Sequence, residues 1–125
     1  ESAEIYKEGA DGAAQISAMM DMLRANVPEE LADERVVNVR DYNTGISHNT
    51  VTGENEPTGL PQSNVIYFKT ESGNVVVARP SGTEPKIKFY ILAHGDDRES
   101  SRNAAAACKI SLEGLLGMEP GSLRK

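Results

Sequence analysis

Residues 79–90 carry the densest chemistry in the chain: Arg79-Pro80-Ser81-Gly82-Thr83-Glu84-Pro85, followed by Lys86-Ile87-Lys88-Phe89-Tyr90. Two hydroxyls, a glycine and a permanent cation sit in a turn braced by two prolines, and a basic strand leaves it. That combination suits a phosphate dianion. Arg79 can donate two parallel hydrogen bonds to phosphate oxygens, and Ser81 and Thr83 can each add one. Gly82 lets main-chain N–H groups approach an anion closely. Pro80 and Pro85 restrict the empty turn, so less entropy is lost on binding. Ser-Gly-Thr between two strands is by itself an ordinary turn; the flanking Arg and Pro residues favour the anion reading. A carboxylate beside a phosphate is unfavourable, so Glu84 is expected to point away, pair with Lys86 or Arg79, and orient the turn.

Other reactive side chains are poorly placed for chemistry. Ser81 has no base near it in sequence and is not read as a nucleophile. His94 reads as a solvated strand end, and His48 sits among turn formers with no identifiable partner. Two distant histidines and one cysteine make no metal-ligand pattern. Gly95-Asp96-Asp97-Arg98 lacks the alternating carboxylates that wrap a hard cation; Asp96 or Asp97 instead caps the following helix. Cys108 lies on an apolar helix face and reads as a small buried hydrophobe. No catalytic residue and no metal ligand is assigned. Arg40, Asp41 and Tyr42 either border a cleft or form a structural ion pair.

Positioning the turn requires a sheet. Val36-Val37-Asn38-Val39 starts a strand that runs on through Tyr42, and three more follow at short intervals, about 64–70, 74–79 and 86–93. Glu71-Ser72-Gly73 turns the first hairpin and the basic turn closes the second. In the last strand Ile87, Phe89 and Ile91 share one face while Lys86, Lys88 and Tyr90 share the other. Ile16, Met19, Met20, Leu23 and Val27 recur at helical spacing over about 11–27, between Asp11 and Pro28. A second helix over about 97–116 presents Ala104, Ala107, Cys108, Ser111, Leu112 and Leu115, and Gly117 ends it. Residues 43–63 hold turn formers and read as a surface excursion rather than a flap. The element order implies an α+β fold: a four-stranded antiparallel sheet with two helices packed on one face. Residues 1–9 read as a linker or the tail of a preceding element, and 10–125 as the domain.

Composition bounds the function. The chain has 125 residues, enough for one core. Thirteen Lys and Arg against nineteen Asp and Glu give a net charge of −6, which argues against general nucleic-acid affinity. Around the turn the balance reverses, pointing to a small anionic ligand. Nothing approaches the roughly 18 apolar residues of a membrane span, and no signal-peptide pattern is present. The single cysteine fits a reducing, cytoplasmic setting.

The seven residues from Arg79 to Pro85 and the strand after them resemble the phosphate-binding loop in the C-terminal domain of the α-D-phosphohexomutases, the phosphoglucomutases, phosphomannomutases and their relatives. Gly59-Leu60-Pro61-Gln62-Ser63-Asn64-Val65 is similar to the same region of bacterial phosphoglucomutases, and Arg40-Asp41-Tyr42 also fits; the likeness is strong over about 36–95. The resemblance implies a domain related to the TATA-binding-protein fold, which does not by itself imply DNA binding. It implies that Arg79, Ser81, Gly82 and Thr83 hold the distal phosphate of a hexose phosphate, with Lys88 at a position that is basic in relatives. It implies further that the phosphoserine, the Mg²⁺ loop and the sugar-selecting loop lie in N-terminal domains of the same polypeptide, and that the full-length enzyme uses Mg²⁺ and a sugar bisphosphate activator. On this reading the chain, which lacks an initiator Met, is a C-terminal domain of a phosphoglucomutase that binds weakly and catalyses nothing alone. Phosphomannose or phosphopentose replaces glucose in one alternative; an autonomous phosphate-ligand module is another.

Overall fold

A computed structural model of the chain describes residues 2–6, 12–81, 84–93 and 97–116. Gly82, Thr83, His94, Asp96 and Gly117, singled out above, lie outside the described residues. Eight strands and two helices follow in the order β1 (Ser2–Tyr6), α1 (Gly12–Ala25), β2 (Glu30–Leu31), β3 (Glu34–Asp41), β4 (Ile46–Asn49), β5 (Asn55–Pro57), β6 (Ile66–Thr70), β7 (Val75–Pro80), β8 (Lys86–Leu92) and α2 (Arg98–Leu115). The spatial order is β1-β8-β7-β6-β3-β4-β5, all antiparallel, with β2 paired to β3 off this path.

The four expected strands, β3, β6, β7 and β8, form the centre, and their alternation explains why. Val36, Val39, Ile66, Phe68, Val76, Ala78, Ile87, Phe89 and Ile91 point inward and are buried. They meet Ile16, Met20 and Leu23 of α1 and Ala105, Cys108 and Leu112 of α2 in one core, so both helices cover the same face. A bulge between Val36 and Asn38 shifts the β3 register, which is how Val36 and Val39, an odd number apart, both reach the core. Asp97 caps α2: its Oδ1 accepts from Ser100 N at 2.7 Å, and that bond holds its carboxyl below the usual range.

The sheet is wider than the four strands read from the sequence. Ser2–Tyr6, taken as linker or tail, pairs along β8. Residues 43–63 are not a bare excursion, since β4 and β5 make a hairpin that extends the sheet beyond β3. Its strands are short and polar, with Ser47, His48 and Asn49 in β4, and so carry no apolar alternation to betray them. The β2–β3 turn puts Ala32 (φ 54°) and Asp33 (φ 61°) in the left-handed region, which a tight hairpin of this kind demands. Ser111 Oγ accepts the Ala32 N–H at 2.8 Å, tying the turn to α2.

Glu34 closes the far end of the sheet. Its Oε1 accepts from Ser72 Oγ at 2.6 Å, Thr70 Oγ1 at 2.7 Å and Asn74 Nδ2 at 2.9 Å. The Ser72 bond foremost, with Thr70 and Asn74, holds the carboxyl below its ordinary value against an opposing effect of burial. A depressed native value means that the unfolded chain takes up the proton first in acid. The stabilisation is therefore complete above the unfolded value, about 4.3, and is lost as pH falls through the native one. Melting temperatures measured from pH 7 to pH 3 should fall less steeply below about pH 4.3 in Glu34→Gln than in the native chain; parallel curves would show that Glu34 contributes nothing to acid sensitivity. Cys108 packs nearby; burial, and secondarily the Glu34 carboxylate, push its thiol up to about 11, leaving it inert at neutral pH.

Candidate functional site

The basic turn joins β7 to β8 and projects from one edge of the sheet. Arg79 and Lys88 are direct cross-strand partners, on the face that neither helix covers. Like charges placed opposite one another are by themselves unfavourable in a sheet; on its other side Lys88 is the register partner of Glu4 of β1. Arg79 is exposed and Lys88 half-buried, with the Lys88 ammonium 5.3 Å from the centre of the Tyr90 ring. That stacking gives the second cation a fixed station.

The turn is bonded to itself. Ser81 N donates to Lys86 O at 2.9 Å, and Lys86 N to Glu84 O at 2.8 Å. Ser81 Oγ accepts the Glu84 N–H at 3.2 Å. Glu84 pairs with Lys86 at 4.0 Å, one of the two partners expected for it, and its carboxylate is thereby drawn towards the strand. Pro80 ends β7 opposite Ile87, whose side chain is fully buried, and so anchors the turn to the core. Among the described residues Arg79 and Lys88 thus stand opposite one another, and Pro80, Ser81, Glu84 and Pro85 lie in the turn between their strands.

The ends of β3 and β6 lie on the same edge as the turn. Here Asp41 is in an ion pair: Arg24 Nε donates to both its oxygens at 3.2 Å. Arg24 Nη2 donates to Asn64 Oδ1. Arg40 instead stands on the uncovered face, 4.6 Å over the Tyr67 ring, with its Nε donating to Asn38 Oδ1 at 3.2 Å. On the central strands that face carries Arg40, Lys69, Arg79, Lys86 and Lys88, while the flanking strands set Glu4 opposite Lys88 and Glu56 opposite Ser47, the partner of Arg40. Sequence reasoning found the turn but missed this cationic lane. The alternation of Tyr67 with Lys69, and of Lys88 with Tyr90, was its only sequence signal.

Elsewhere, His48 Nδ1 is hydrogen-bonded to Asn55 Oδ1, a partner the sequence did not reveal. It lines a cleft of about 450 Å³ with Arg24, Asp41, Val39, Ile46 and Ile66. Its aliphatic walls and internally neutralised ion pair do not suit a dianion. Among the described residues no three His, Cys, Asp or Glu side chains converge to hold a metal ion, and no helix is long and apolar enough to cross a membrane.

An antiparallel sheet with two helices on one face is the α+β architecture expected of a phosphosugar-mutase C-terminal domain. The chain belongs to the phosphoglucomutase/phosphomannomutase family, whose C-terminal domain model matches residues 6–110. It is 42% identical over 92 residues to a phosphoglucomutase of Staphylococcus haemolyticus, covering 74% of this chain and 17% of that protein. It is 33% identical over 105 residues to a probable phosphoribomutase of Schizosaccharomyces pombe, covering 79% of this chain and 18% of the relative. A phosphoglucomutase of Staphylococcus epidermidis is 37% identical over 84 residues, 67% of this chain and 15% of its own length. The chain therefore spans under a fifth of these relatives.

Proposed function

We propose that this domain clamps the distal phosphate of a hexose phosphate while another part of a longer phosphoglucomutase moves a phosphoryl group between C1 and C6. The observation that carries the reading is the cross-strand pairing of Arg79 with Lys88 beside Ser81. A dianion placed there meets both cations, and the Ser81 hydroxyl is the polar group next to them along the chain. On this reading Gly82 and Thr83, which lie outside the described residues, are further phosphate-binding residues. A clamp that reads the phosphate and not one sugar edge accepts the ester in either orientation, which an intramolecular transfer through a bisphosphate needs. Holding the far phosphate favours in-line transfer by positioning and electrostatics.

The Mg²⁺ ion and the sugar bisphosphate activator belong, on this reading, to the longer enzyme. The residues described here offer no cluster for the metal, and no step of the clamp is routed through it. The domain alone binds weakly and is inactive. Its partners are the hexose phosphate and the N-terminal domains of its own polypeptide, not nucleic acid or membrane. Its single, inert cysteine suits the cytoplasm. A pentose phosphate is the second reading, favoured by the 33% identity to a probable phosphoribomutase.

Titrating the 125-residue chain with inorganic phosphate, followed by backbone amide NMR, tests the clamp. The largest saturable shifts are expected at Ser81, Gly82 and Thr83. Shifts centred on the His48 cleft, or none that saturate, would overturn it.

A further inference from the structure

We propose that the cleft between the end of α1 and the β3–β4 flank of the sheet is a second ligand site, which takes an uncharged aromatic molecule carrying an N–H or O–H donor. The cleft follows from the topology. α1 packs against β7 and β8, while β4 extends the sheet past β3 on the other flank. Ile46 and His48 of β4 are the register partners of Asp41 and Val39, and Asp41 is also the partner of the buried Ile66. These residues share the side of the sheet that carries the helices, and the end of α1 meets them through Arg24 and the following Val27. The space left between is about 450 Å³, the size of a small-molecule site.

Its walls are aliphatic and partly wet. Val27 is 39% exposed and Ile46 44%, and the buried Val39 and Ile66 complete the apolar lining. A flat ring laid over Val27 and Ile46 takes that surface out of water. The charged groups offset one another: Arg24 Nε donates to both oxygens of Asp41 at 3.2 Å, and Arg24 Nη2 donates to Asn64 Oδ1. The lining therefore selects neither an anion nor a cation, and bringing either against aliphatic walls is costly.

The other polar side chains of the lining are acceptors. His48 Nδ1 is hydrogen-bonded to Asn55 Oδ1. An amide oxygen cannot donate, so in the neutral ring Nδ1 carries the proton and Nε2 the lone pair. Asn55 belongs to β5, the strand beyond β4, so the Nδ1 flank of the ring faces β5 and the opposite flank faces the cleft. Thr50 Oγ1 donates to Val36 O at 2.6 Å and Thr44 Oγ1 to Asp41 O at 3.2 Å, which leaves both hydroxyl oxygens with lone pairs to offer. A ligand that brings a donor completes this set, and one without a donor leaves it unmet. An apolar ring with one such group matches both the walls and the acceptors.

The test is an NMR titration of the methyl-labelled 125-residue chain with indole and with N-methylindole, which keeps the shape and lacks the donor. Saturable shifts are expected at the methyls of Val27, Val39, Ile46 and Ile66, with a Kd for indole on the order of 1 mM. N-methylindole should bind about three- to tenfold more weakly. His48→Phe keeps a ring and removes Nε2, and should bring the two probes within about twofold of one another. Ile46→Asp should weaken both by about fivefold or more. Scattered or non-saturating methyl shifts, equal affinity of the native chain for the two probes, or a donor preference that survives His48→Phe overturns the inference and leaves the phosphate clamp standing. A Ser81 amide unmoved by phosphate overturns the clamp and leaves this site standing.

Discussion

Arg79→Ala should weaken binding of glucose 6-phosphate to the 125-residue chain by roughly one to two powers of ten, without lowering its melting temperature. The magnitude follows from the loss of charged hydrogen bonds to phosphate, each worth about 1.5–3 kcal/mol, at about 1.4 kcal/mol per decade of affinity. The second half of the result separates binding from folding. Arg79 is exposed and sits directly opposite Lys88, so its removal relieves a like-charge contact in the empty domain. A variant that binds far worse yet melts at the same or a higher temperature marks a residue kept for its ligand. Arg79→Lys should fall between, since an ammonium keeps the charge and loses the planar fork. Affinity within twofold of the native chain for Arg79→Ala would remove Arg79 from the site.

Phe89→Ala should bring the domain close to unfolding. Phe89 has no exposed surface and lies on the inner face of β8, opposite Ala78. Small inward neighbours cannot spread into the space it would vacate, so a cavity remains. Loss of such a ring typically costs about 3–5 kcal/mol, against a total of about 5–15 kcal/mol for a domain. Leu92→Ala, at the outer end of the same strand and 62% exposed, should change stability by no more than about 0.5 kcal/mol. Urea unfolding of both variants checks the contrast. A midpoint shift for Phe89→Ala no larger than that for Leu92→Ala would mean that the ring does not hold β8 to the helices.

The central architecture was legible because burial writes itself into sequence. Alternation in Ile87, Phe89 and Ile91 against Lys86, Lys88 and Tyr90, and helical spacing in Ile16, Met20 and Leu23, are what a two-layer core requires. A cap at Asp96 or Asp97 was legible for the same local reason, and the structure places it at Asp97. The basic turn between β7 and β8 was legible because its residue types are unusual together. The missing features were those held by long-range hydrogen bonds. The β4–β5 hairpin has little apolar content, and β1 owes its place to pairing with β8. Arg24 reaches Asp41 and Asn64 across 17 and 40 residues. No local pattern records such a bond, so Asp41 was left between a cleft and an ion pair until the structure placed it. Glu34 and its three donors escaped notice for the same reason.

The pairing of β1 with β8 has a consequence for biosynthesis. Within this segment the first strand to leave the ribosome waits for β8 before either is complete, so this sheet cannot be finished piecemeal during translation. Final assembly must follow emergence of nearly the whole segment, with the slow loop closure that such distant partners impose. A nascent chain halted before β8 would hold β1 without a mate and Arg79 without Lys88 across from it.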